Sequence, residues 1–197
     1  ALYTKGYTVY SIFLMIAISG IPSAVAKQVA HYNSKNEYGV SKRLFKTSLV
    51  ALFILGAVCT LVFWLIAPWI SQGDPRMVSI YRSLALALLI IPSMSLLRGY
   101  FQGFQDMAPS ALSQLIEQFL RIIYMLLATY ITIKVMGLPF EAGVWQSTFA
   151  AFIGAVGGTL LLVGYYLKHK KRLDKLVSQS NDQLKITNAT LLKEVLY

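Results

Sequence analysis

Two charged residues stand inside apolar sequence with no polar stretch around them: Glu117 and Arg121, in SQLIEQFLRIIYM. An i,i+4 spacing puts them one above the other on a single helix face. If such a run crosses a bilayer, an ionisable residue in it marks a functional site by default. Three kinds of chemistry are open to the pair. The guanidinium can bind an anion, the carboxylate can take a coupling proton, or the two can neutralise each other so that the helix inserts. Arg98, which closes the run LALALLIIPSMSLLR, has two readings. An arginine at a helix end snorkels to headgroups, or, beside Gln102 and Gln105, offers its planar fork to incoming phosphates. Lys27 divides in the same way between anchor and ligand. Ser113 and Gln114 either line a cavity or bond a neighbouring helix.

Other reactive types point nowhere. His31 and His169 lack carboxylate or histidine neighbours at ligand spacing, so no metal or other cofactor is expected. The single cysteine, Cys59, lies in mid-run and reads as a small apolar residue. Clustered carboxylates or histidines, which an enzyme acting on polyprenyl lipids would need, do not occur. The chain is expected not to be an enzyme.

The elements that would position these residues follow from composition. Apolar residues make up 56% of the chain and charged residues 13%, against about a quarter charged in soluble domains. The net charge of +10 gathers at the ends of apolar runs, which fits topology rather than nucleic-acid binding. Five spans are expected, at about 7–32, 44–70, 78–104, 109–136 and 140–167. Gly20 and Pro22 break the first and Pro92 kinks the third. Gly154 and Gly158, at GxxxG spacing, invite close approach of another helix, whereas Gly99 and Gly103 read as loosening the backbone where the third span leaves the hydrocarbon. HYNSKNEYGVSKRLFK (31–46) reads as a basic loop. Residues 1–173 are therefore expected to be transmembrane, 174–190 a polar cytoplasmic loop, and 191–197 the start of a further helix in a longer protein. The surplus of lysine and arginine at residues 35–46, 98 and 168–172 assigns those ends to the cytoplasm. Arg82 falls at the opposite edge as a headgroup anchor.

Together GIPSAVAKQVAHYNS, LRGYFQGFQDMAPSALSQLIEQFLR and the basic end KHKKR resemble one family. It is the polysaccharide-biosynthesis branch of the multidrug/oligosaccharidyl-lipid/polysaccharide flippase superfamily, with its stage V sporulation protein B-like and MurJ-type lipid II flippases. The resemblance implies an all-α bundle of about fourteen helices in two lobes, with this chain supplying helices two to six of the first lobe. It implies alternating access that moves an undecaprenyl-diphosphate-linked sugar unit across a bacterial, Gram-positive cytoplasmic membrane. The partners would be that lipid, the surrounding membrane and the remaining lobe. Arg121, Glu117, Arg98, Lys27, Gln102 and Gln114 become candidate substrate contacts, and Gly20, Pro22, Pro92, Gly154 and Gly158 hinge or packing positions. Two alternatives stand beside it: a cation-coupled multidrug exporter of the same superfamily, and a non-transporting membrane scaffold that would tolerate apolar replacement of Glu117 and Arg121.

Overall fold

The computed structural model describes residues 20–71 and 74–180, together with 8, 11, 12, 15, 190 and 191. It is all-α among them: α1 (Ile21–Ser34), α2 (Tyr38–Ile70), α3 (Pro75–Gly103), α4 (Ala108–Tyr130) and α5 (Phe140–Ser178), with a single π-helical turn, Ile131–Val135, continuing α4. Four of these segments, not five, are long and apolar enough to cross a membrane. The expected first span differs because most of its first half lies outside the described residues, leaving the 14-residue α1.

Local chemistry starts each helix. Gly20, with φ 69, takes a left-handed conformation that costs glycine little, and Pro22 then occupies the first turn of α1. The Asp74 carboxylate accepts the Arg76 backbone N–H at 2.9 Å, with Pro75 in the first turn of α3. Pro109 does the same for α4.

The expected loop at 31–46 is instead a turn of three residues. Asn36 enters the left-handed region at φ 60, which asparagine tolerates. The N–H groups of Lys35 and Glu37 return to Tyr32 O and that of Asn36 to Asn33 O. The lysines and arginine that follow therefore ride on α2. Likewise α5 continues to Ser178, so residues 174–178 are helical rather than loop. At 1.5 Å per residue, α2 and α5 run to about 50 and 58 Å, well beyond a hydrocarbon core of about 30 Å. Apolar content marked where these helices cross the membrane, not where they stop. Their polar ends lie together: Lys42 pairs with Asp174, and the Gly39 N–H donates to Ser180 Oγ at 3.1 Å.

α3 is the hub, packed by α1, α2 and α5. Tyr100, Phe45, Leu84, Leu88, Met94 and Leu96 are buried around it, and Phe45 stacks on Tyr100 with centroids 4.1 Å apart. Pro92 is buried in mid-helix, and having no N–H it leaves the Leu88 carbonyl without its helical donor. That carbonyl faces Gly56 of α2, where a Cβ would stand only 3.0 Å away. Outward, α4 exposes Leu112, Leu115, Phe119, Ile122 and Leu126 at helical spacing. Hydrocarbon is the solvent that suits such a stripe.

Gly99 and Gly103 do not loosen anything. Both are buried inside α3, where a Cβ at Gly99 would stand 2.4 Å from Pro22 O, and one at Gly103 would stand 2.5 Å from Val29 Cγ1. They form a second small-xxx-small surface, and α1 lies against it.

Candidate functional site

Along α3, Ser95, Arg98, Gly99 and Gln102 recur at three- and four-residue steps and share one face. Gln114 comes from α4, and Gly20, Pro22 and Ser23 come from the start of α1. These eight residues enclose an open cleft of about 370 Å³. Its walls are polar or small. It lies toward the basic end of the bundle, because Arg98 is in the last two turns of α3.

Arg98 is the cation of this cleft. Its Nε donates to Ser113 Oγ at 2.7 Å, and its Nη2 donates to Glu117 Oε2 at 2.7 Å and to Met94 Sδ at 3.5 Å. The remaining nitrogen, Nη1, has no partner among the described residues. The Arg98 and Glu117 side chains are only 12% and 14% exposed. The expectation that Arg98 snorkels to headgroups is therefore corrected: Ser113 and Glu117 give its donors nearer acceptors inside the protein. Ser110 strengthens the joint, since its hydroxyl donates to the Arg98 carbonyl at 3.1 Å. The Ser113 hydroxyl donates its proton to Ser110 O at 2.8 Å, leaving its lone pairs for Arg98.

The remaining expectations divide. Arg98, Gln102 and Gln114 meet in the cleft with Gly20 and Pro22. Glu117 stands behind Arg98, its 2.7 Å bond reaching across to α3 rather than along its own helix. Arg121 lies half-buried against α5, its Cβ 3.1 Å from where a Cβ of Gly154 would be. Lys27 is exposed on α1 and does not line the cleft. Gly154 and Gly158 let α4 close on α5: Cβ atoms there would stand 2.7 Å from Glu117 O and 3.2 Å from Ser113 O. Arg82, at the opposite end, sits over the Trp64 ring at 5.2 Å.

Sequence reasoning missed Ser23, Ser95 and Met94. Small polar residues and a methionine in apolar helices carry no spacing signal of their own. The Gly99/Gly103 spacing was available, and it matches that of Gly154/Gly158.

A bundle of apolar helices around a largely shielded ion pair and a polar cleft defines a multi-pass helical protein of the cell membrane. The sequence pattern of the family described as "Polysaccharide biosynthesis protein" matches residues 1–191, and the chain belongs to that family. Three relatives come from Bacillus subtilis (strain 168). The lipid II flippase MurJ is 41% identical over 184 residues, covering 88% of this chain and 34% of that protein. Stage V sporulation protein B is 32% identical over 78% of this chain and 30% of its own length. An uncharacterized membrane protein, YabM, is 32% identical over 99% and 36%. The chain thus spans about a third of the length of the curated relatives it matches. No solved structure matches it.

Proposed function

We propose that this chain is part of the first lobe of a flippase that carries an undecaprenyl-diphosphate-linked sugar unit, lipid II first among them, across the cytoplasmic membrane by alternating access. The observation that carries the reading is Arg98, a nearly buried guanidinium on the wall of a polar cleft, with Nη1 unclaimed among the described residues. A planar guanidinium suits phosphate oxygens geometrically and stays charged at any physiological pH. Gln102 and Gln114 add neutral donors at the same wall. With the basic ends in the cytoplasm, the cleft opens toward the inner leaflet, where a lipid-linked precursor presents its diphosphate. The kinship with a lipid II flippase supports the same cargo.

An exporter of cationic drugs would need an open carboxylate in the cleft. The nearest one, Glu117, is engaged by Arg98. Depleting the full-length protein in its own cells tests the reading. Lipid II, or another undecaprenyl-linked glycan, should build up on the cytoplasmic side. If no lipid-linked precursor builds up, with redundant flippases deleted, the reading is wrong.

A further inference from the structure

Within the function proposed above, the bond pattern at Arg98 separates two jobs that one arginine cannot do alone. Something must meet the phosphate, and something must hold the guanidinium plane. An arginine side chain has four rotatable bonds and loses much rotamer entropy on ordering. Here three fixed groups hold it. Ser113 Oγ accepts from Nε, Glu117 Oε2 accepts from Nη2, and Met94 Sδ touches Nη2. Among the described residues only Nη1, with two N–H donors, is left over, and Arg98 is the holding cluster's sole member on the cleft wall.

The two acceptors are themselves held in depth. Glu117 and Ser113 sit one turn apart on the side of α4 that meets α5. Gly154 and Gly158 set how close that side comes, since their missing side chains admit the Glu117 and Ser113 carbonyls. Gly158 also leaves room for Met94 Sδ, which would be 3.0 Å from a Cβ there. The glycine pair of α5 thus seats α4, α4 seats the two acceptors, and they seat the fork.

We propose that Glu117 and Ser113 are positioning residues that turn the Nη1 edge of Arg98 into the cleft to receive a phosphate, and that Glu117 itself touches neither substrate nor coupling proton. Ser113 accepts through its lone pairs, because its single proton is spent on Ser110 O. Glu117 serves as a hydrogen-bond acceptor of set length, and its charge is secondary to its reach.

Two conservative variants separate length from charge. Glu117→Gln keeps an acceptor oxygen at the same reach and removes the charge. Glu117→Asp keeps the charge and draws the oxygens back by one methylene. The probe is undecaprenyl diphosphate added to the full-length protein in detergent, with binding and melting temperature read on each variant. Glu117→Gln should bind within about threefold of the parent. Glu117→Asp and Ser113→Ala should each bind about tenfold more weakly, the loss expected for one hydrogen bond to a charged group, at a melting temperature that still shows a folded protein. The reverse order, with aspartate like the parent and glutamine weak, would mean that Glu117 only balances charge and would overturn the proposal. If Glu117→Asp does not fold, Ser113→Ala decides, since it removes one oxygen and unchanged binding would refute positioning. A parent that does not bind the probe, while its variants fold, would defeat the functional reading itself rather than this refinement of it.

Discussion

Arg98 Nη2 and Glu117 Oε2 lie 2.7 Å apart across nineteen residues of sequence and two different helices. The contact joins α3 to α4 at the point where the chain has just turned between them. Both side chains are shielded from solvent, so the pair is worth most when one member is taken away. Stranding the other charge costs about 3–5 kcal/mol in buried pairs, whereas replacing both by apolar groups is close to neutral. Arg98→Met and Glu117→Leu, made singly, should each destabilise the full-length protein by an amount in that range. The double variant should recover most of the loss and still not transport. Additive losses in a double-mutant cycle would show that the pair is not coupled.

The glycines of α3 give a sharper packing test. An alanine at Gly99 would put its Cβ 2.4 Å from the Pro22 carbonyl, a backbone atom that cannot move aside cheaply, whereas at Gly164 nothing among the described residues lies within 4 Å. Gly99→Ala should cost about 1–3 kcal/mol by overpacking. Gly164→Ala should be neutral or gain up to about 1 kcal/mol from helix propensity. Equal effects on thermal unfolding would mean that α1 does not rest on α3 as described.

A buried hydroxyl pair, Ser83 Oγ and Thr148 Oγ1 at 2.6 Å, ties α3 to α5. Each hydroxyl has one proton and two acceptors in reach, the other hydroxyl and a backbone carbonyl of its own helix, Ile80 O for Ser83 and Trp145 O for Thr148, so two of the three bonds form at a time. Thr148→Val therefore leaves Ser83 satisfied, and the loss should be about 0.6 kcal/mol, the average for polar bonds between membrane helices. A loss as large as that of Arg98→Met would give this pair a weight its redundant bonding does not suggest.

Orientation is testable by labelling. With Cys59 replaced by serine, a cysteine at Lys35 should be shielded from impermeant thiol reagents in intact cells and react after permeabilisation. One at Met136, exposed at the end of the π-helical turn, should react in intact cells. The reverse pattern would invert the bundle and turn the cleft away from the inner leaflet.

What the sequence disclosed followed physical rules of different reach. Apolar length located α2, α3, α4 and α5 within the membrane, because spanning demands it. It did not locate the ends of α2 and α5, since helices that leave the bilayer are free to continue in polar sequence. Arg98, Gln102 and Gln114 were legible as candidates because polar groups near hydrocarbon are few. The partner of Glu117 was not. An i,i+4 neighbour is visible in the sequence, but the arginine at 2.7 Å comes from another helix, and nothing in the intervening residues announces how the turn folds α4 back on α3. Gly99 and Gly103 illustrate the same limit: glycine near a helix end reads as looseness until the backbone it admits is seen.

The central claim is tested most directly by reconstituting the full-length protein in proteoliposomes with fluorescent lipid II and following its passage between leaflets. The parent should move it faster than protein-free vesicles. Arg98→Lys, which keeps the charge facing Glu117 but loses the planar fork, should slow it by about tenfold or more, as loss of a charge-assisted hydrogen bond implies. A parent no faster than empty vesicles, or an Arg98→Lys variant as fast as the parent, would contradict a phosphate-binding cleft centred on Arg98.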